Sequence, residues 1–255
     1  MLLAIDIGNT NVTLGVFRGE KLETTWRAAP DPDRMPDEYA DFIMNVMQRE
    51  GLNPDEINEA ALCSSVPPVT RTWEQLCQRY FHIKPLVVGA GIKTGMRVLY
   101  DDPRAVGADR VTDAVAAYRM YGGPVIVVDM GTATVFDAVS RDGEYLGGAI
   151  APGIVVAVEA LVSRASMLRR IELVRPPKAI GRNTAHAIQS GMIFGYVGLI
   201  EGLVARFQQE LGGGATVVAT GGLADIITRE TPIFHHIQPD MTLIGLRMIY
   251  DLNRA

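Results

Sequence analysis

Cysteine is scarce: Cys63 and Cys77 are the only two in 255 residues. That excludes a disulfide-stapled secreted scaffold, and the pair lacks the spacing of a metal cluster with histidines, so both read as reduced core thiols of a cytosolic protein. Excess positive charge is missing too. Twenty-four Lys and Arg face 29 Asp and Glu, a net charge of −5, which leaves no electrostatic footprint for nucleic acid or an anionic membrane. Uninterrupted hydrophobic runs are short. Residues 2–5 are apolar, but Asp6 cuts the run and no basic segment precedes it, so no signal peptide is expected. The nearest approach to a membrane span, 187–205, carries Gln189 and Glu201 and continues into "RFQQEL". It reads as a packed helix of a soluble protein. Low-complexity tracts are absent. What remains, 48% hydrophobic and 21% charged residues, is an ordinary globular balance, long enough for one large domain or two small ones.

What is present begins with a repeat. "LAIDIGNTNV" (3–12) matches "IVVDMGTATV" (126–135) without a gap, so that Asp6 falls on Asp129, Gly8 on Gly131 and Val12 on Val135. Such self-similarity implies duplicated architecture. Strands are predicted at 2–6, 11–17 and 22–27, then a helix at 36–50 with Tyr39, Phe42, Ile43, Val46 and Met47 on one face. The strand "AALCS", a helix displaying Val69, Trp73, Leu76, Cys77 and Tyr80, the strand "PLVV" and a helix at 109–121 complete the first half. The second half repeats the order: strands at 124–129, 133–139 and 144–150, a helix at 184–211, the strand "TVVAT", a short helix after Gly222, a weak strand near Ile237 and a helix from 241. Residues 151–183 are extra material. This order is that of a ribonuclease H-like domain, and two tandem ribonuclease H-like domains, divided at "YGGP" into residues 1–121 and 122–255, resemble the actin and sugar-kinase superfamily, which implies an α/β actin-like ATPase fold with an interlobe ATP cleft.

Each aspartate ends a first strand, where ligands of open α/β sheets gather. Gly8 and Gly131 permit a sharp turn, and main-chain N–H groups with the hydroxyls of Thr10, Thr13, Thr132 and Thr134 suit phosphate oxygens. A carboxylate beside phosphates calls for a cation between them. A hairpin turn with an Asx-type bond explains one such turn equally well, and two in register far less well. "VVATGGLAD" (217–225) adds a strand, a Gly-Gly turn and a helix start.

"DIGNTN", "SSVPP", "GIKTG", "VGADR", "VVDMGTATVFD", "GEYLGGAIAPG", "IGRNT" and "ATGGL", in this order along nearly the whole chain, resemble the type III pantothenate kinases of the actin and sugar-kinase superfamily. One departure is Val135, where many relatives have threonine. The resemblance implies ATP-dependent phosphorylation of the primary hydroxyl of pantothenate to 4'-phosphopantothenate, the first step of coenzyme A synthesis. It implies that Asp6, Ile7, Gly8, Asn9, Thr10, Asn11, Val12 and Thr13, with Thr132, bind ATP. Asp6 would face Mg2+, and Asp129 would hold K+ or NH4+. Tyr100, Gly107, Ala108, Asp109, Arg110 and Thr184 would bind pantothenate, with Asp109 the general base. The Gly-Gly turn would pass close to the adenosine. A cytoplasmic homodimer is implied, with neither nucleic acid nor membrane as partner. The alternatives are a transcriptional accessory factor of the same family or another small-alcohol phosphotransferase.

Simpler roles stand beside several of these. Asp109 opens a helix and could cap it; Asn183 or Thr184 could cap the long helix; Tyr100 could belong to the core; Arg110 could serve a surface ion pair. His235 and His236 are adjacent in a predicted strand, point to opposite faces and make a poor metal pair. Gly191, Gly195, Gly198 and Gly202 share a helix face, suited either to close packing within the lobe or to a helix pair across a dimer.

Overall fold

A computed structural model describes residues 1–165 and 171–254. Two compact units emerge, each built on its own sheet: residues 1–96, 101–116 and 241–255 form the first, and 97–100 with 117–240 the second.

In the first unit, β1 (Leu2–Ile7), β2 (Val12–Arg18) and β3 (Lys21–Ala28) form an antiparallel meander, and β4 (Glu59–Ser64) and β5 (Leu86–Val87) extend it in parallel, in the order β3-β2-β1-β4-β5. Strand parity sorts the side chains. Leu3, Ile5 and Ile7 of β1 join Leu14, Leu62 and others in a core covered by α1 (Pro36–Arg49) and α2 (Pro67–Tyr80), which contribute Tyr39, Ile43, Met47, Trp73, Leu76 and Cys77. Both helices start with proline in the first turn, where its missing N–H costs nothing. Ala4 and Asp6 therefore belong to the other face. There α7 (Met241–Asn253) packs on β1, β2 and β4, and α3 begins (Ala108–Tyr121). Leu243 fills the space beside Gly15, and Gly245 lies against the main chain of Thr112.

In the second unit, β6 (Arg97–Val98), β7 (Val125–Met130), β8 (Ala133–Val139), β9 (Glu144–Pro152), β10 (Thr216–Thr220) and β11 (His236–Ile237) form a sheet in the order β11-β10-β7-β8-β9-β6. Apart from β6 at one edge, this is the strand order of the first sheet, so the ribonuclease H-like topology is present twice. Ile126, Val128, Phe136, Val217 and Ala219 face a core closed by α4 (Ile154–Arg164), α5 (Thr184–Glu210) and α6 (Ala224–Thr228). α5 is long and apolar enough to cross a membrane by length and composition. Its Ile193, Tyr196, Ile200 and Val204, however, are core residues of this unit.

Two expectations need correction. A division at 121/122 places α7 with the second unit, whereas α7 completes the first by covering the sheet face that α1 and α2 leave open. The extra material of the second unit contains α4, which buries Ile154 and Val158 one helical turn apart. Its run of valines favours a strand by propensity, and burial overrides it. The repeat also contains a gap. Val12 pairs with Ile7, but Val135 pairs with Asp129, the position that Thr13 holds opposite Asp6. The first turn therefore comprises Gly8–Asn11 and the second only Gly131–Ala133, closed by Gly8 N–H to Asn11 O at 3.0 Å and Gly131 N–H to Ala133 O at 2.9 Å.

Candidate active site

In the first unit, Asp6 stands on the face shared with α3, opposite Thr13 on β2 and beside Cys63 on β4. The buried Cys63 thiol donates to Asp6 Oδ1 at 3.4 Å. Burial pushes the Asp6 carboxyl up to about 7; the nearby charge of Asp109 adds to the rise, and the Cys63 hydrogen bond opposes it. The Cys63 thiol is itself driven well above its ordinary range, first by burial and then by Asp6, Asp109 and Asp113. It is thus a permanently protonated donor and not a nucleophile. Burial likewise takes Cys77 to about 12. Both cysteines are free.

Asp109 lies in the first turn of α3, and its Oδ1 accepts the N–H of Arg110 at 2.8 Å. The carboxylate thus satisfies a main-chain N–H in the first turn of the helix, and the same carboxylate acts on Asp6. Gly107 makes the arrangement feasible: a Cβ there would stand 2.4 Å from Asp109 Oδ1. "VGADR" is thus a steric unit, in which the glycine leaves room for the carboxylate two residues later. Beyond the tip of β1, Asn9, Thr10 and Asn11 are exposed, and Asn9 Nδ2 reaches Ser65 Oγ at 3.4 Å.

In the second unit, Asp129 lies in a cross-strand row, Thr220–Asp129–Val135–Ile150, on the face opposite the α5 core. An apolar Val135 thus stands beside Asp129 where a hydroxyl stands beside Asp6. Gly153 N–H donates to Thr132 O at 2.9 Å, and Leu223 N–H to Met130 O at 3.1 Å. Two oxygens, Asp129 Oδ1 and Met130 O, converge on the space that a Cβ at Gly221 would fill, at 2.3 and 2.6 Å from it. A carboxylate and a carbonyl at such a cradle are the hard donors that an alkali cation takes.

The remaining predicted residues are spread over both units. Gly107, Ala108 and Arg110 are in the first; Tyr100, Thr132 and Thr184 are in the second. Tyr100 is not core: it is 37% exposed, with its ring 6.4 Å from that of Tyr145. Asn183 is the cap of α5, its Oδ1 accepting the N–H of His186 at 2.8 Å. Thr184 is exposed and has no part in that cap. His235 Nδ1 accepts the N–H of Val217 at 2.9 Å and His236 stacks on Tyr121, so each histidine is occupied structurally. Close packing within the lobe does not account for the α5 glycines, since a Cβ at Gly191, Gly195 or Gly198 would meet nothing within 4 Å among the described residues. Sequence reasoning missed Cys63 and Gly221 as neighbours of the two aspartates, and Gly153 as a neighbour of the turn after Asp129. Strand parity carried a signal for Cys63, because "LCSS" ends β4 as "IDIG" ends β1.

A family model described as type III pantothenate kinase matches residues 2–206. The type III pantothenate kinase of Dehalococcoides mccartyi is 52% identical over 254 residues, covering 100% of this chain and 98% of that protein. That of Roseiflexus sp. is 50% identical over 255 residues, with 100% of both covered. Among solved structures, a candidate conserved Baf family transcriptional activator from Campylobacter jejuni superposes with a TM-score of 0.63 at 18% identity, covering 98% of each chain. A candidate N-acetylmannosamine kinase from Listeria monocytogenes gives 0.54 at 11% identity, covering 100% of this chain and 99% of that one. At those identities the structural likeness carries the actin-like fold alone.

Proposed function

The chain belongs to the type III pantothenate kinase family, and from that premise we propose how its residues share out the ATP-dependent phosphorylation of pantothenate to 4'-phosphopantothenate. Asp109 is the general base. The observation that carries this is the electrostatic pairing of Asp6 and Asp109 at the carboxyl end of β1. A carboxylate whose charge helps to hold a proton on its neighbour Asp6 is a poor arrangement in isolation and a suitable one around a bound cation and an incoming hydroxyl.

Phosphoryl transfer through a loose transition state asks mainly for positioning and charge neutralisation. The turn from Asp6 to Thr13 offers main-chain N–H groups to ATP phosphates, and Thr132 offers its hydroxyl to ATP. Asp6 faces Mg2+, which neutralises phosphate charge when bound. Asp109, fixed by the Arg110 N–H, receives the proton of the primary hydroxyl as the bond to phosphorus forms. Gly107, Ala108, Arg110, Tyr100 and Thr184 hold pantothenate, with Arg110 suited to its carboxylate. Asp129 binds a monovalent cation, K+ or NH4+, for which the oxygens near Gly221 are fitting donors. The working form is a cytoplasmic homodimer, a reading supported by the open glycine face of α5. The transcriptional alternative draws nothing from the solved activator-like structure, whose similarity is one of fold.

Release of ADP by purified protein given ATP and pantothenate, with and without K+, tests the assignment. Pantothenate-dependent release that K+ stimulates is expected. Release that ignores pantothenate in every salt would overturn it.

A further inference from the structure

Gly221 opens the turn between β10 and α6 with φ of +91°, a conformation that residues with a side chain rarely adopt. Backbone freedom is only part of what the position demands. A Cβ there would stand 2.3 Å from Asp129 Oδ1, 2.6 Å from Met130 O and 2.7 Å from Met130 C. Two of those three atoms are main chain and cannot rotate aside. The same segments are tied by the pairing of Thr220 with Asp129 and by the bond from Leu223 N–H to Met130 O. The turn after Asp129 is approached from a second direction by Gly153, whose missing Cβ would lie 2.3 Å from Gly131 O and 2.4 Å from Thr132 O. Two bare Cα atoms, 68 positions apart in sequence, therefore hold one turn.

We propose that Gly221 is a positioning residue for Asp129: the absence of a side chain sets where the carboxylate lies, and with it the affinity of the site for a monovalent cation. The proposal builds on the reading of Asp129 as the cation ligand. It differs from the adenosine role suggested for the Gly-Gly turn in what a methyl group at 221 should damage. If Gly221 positions Asp129, cation binding suffers first. If it only lets the main chain pass the adenosine, nucleotide binding suffers and the cation does not.

The experiment compares the full chain with Gly221→Ala, Asp129→Asn and the double variant Gly221→Ala/Asp129→Ala. Thallium-205 NMR reads binding of Tl+ in place of K+, and calorimetry at saturating K+ reads ATP affinity. Wild type should bind Tl+ in competition with K+, and Asp129→Asn should lose that binding. Gly221→Ala should weaken it by about 10–100-fold, the range for removing a support of a metal ligand, with ATP affinity unchanged. Weakened ATP binding with Tl+ affinity intact in Gly221→Ala would overturn the proposal alone. A wild type without competitive Tl+ binding, or an Asp129→Asn protein that keeps it, would overturn the cation reading and the proposal with it, and both are visible without the glycine variant. Should Gly221→Ala fail to fold, folding of the double variant would locate the conflict at the carboxylate, as proposed. A double variant no more stable than Gly221→Ala would place the conflict wholly on the Met130 main chain and overturn the proposal.

Discussion

The Asp6 carboxyl offers a quantitative handle that needs no ligand. Its proton is held up to about 7 in the folded chain, against an ordinary 3.8. The folded-state value is the higher one, so its favourable contribution is fully present below about pH 4 and is lost as pH rises through 7. Between pH 5 and pH 8 the loss approaches about 2–3 kcal/mol if the whole rise applies. Partial solvent access at Asp6 reduces it to roughly 1–2 kcal/mol by screening. Asp6→Asn cannot ionise and should lack this component. Urea denaturation of wild type and Asp6→Asn at pH 5 and pH 8 isolates it, because every other titrating group cancels in the difference. The variant should gain on wild type by that amount at the higher pH. Mg-ATP should also displace the proton from wild type, nearly one per site at pH 6 and few at pH 8, which calorimetry in buffers of different ionisation enthalpy can count. Parallel pH profiles for the two proteins would refute the placement of Asp6 between its burial and Asp109.

Asp109→Asn keeps an oxygen for the Arg110 N–H, so stability should change by less than about 1 kcal/mol, while turnover falls about 10²–10⁴-fold; a folded variant with normal pantothenate phosphorylation would remove Asp109 as the base. Gly107→Ala, with its Cβ 2.4 Å from Asp109 Oδ1, should lower kcat with Mg-ATP affinity retained, and steady-state kinetics with wild-type kcat would show that the carboxylate has room to spare. Gly195→Trp should dissociate the proposed dimer without unfolding the monomer, since the position is open; light scattering that shows an intact dimer would place the interface elsewhere.

Much of the fold could be read from the chain because apolar runs ended in Asp6 and Asp129 mark the first strand of each repeat. The strands that follow keep their periodicity, and the family motifs span almost the whole length. What stayed hidden is non-local. The deletion in the second turn is masked by valine: one stands at 12 and another at 135, so a gapless match looks complete while the strand pairing shifts by one. Cys63, Asp6 and Asp109 come from β4, β1 and α3, and the balance of burial, charge and hydrogen bonding at Asp6 exists only once the three are folded together. The same holds for Gly221. Its motif reads as a connector, and the carboxylate that its Cβ would strike belongs to a strand more than 90 residues upstream. Asp109 shows the limit from the other side: a helix start and the proposed catalysis call for the same residue at the same place, and the sequence alone does not separate them.

The helix that returns to the first sheet also sets a timetable for biosynthesis. A ribosome extends the chain at roughly 5–20 residues per second. β1, β2 and β4 leave the tunnel early, but the side that carries Ala4 and Gly15 stays only partly covered, by the start of α3, until α7 has followed all of residues 117–240, a wait on the order of ten seconds. Apart from the short β6 segment, the second unit is contiguous and can close during that interval. The half begun first is thus finished last, and its partly covered sheet face is the surface that nascent-chain chaperones would meet.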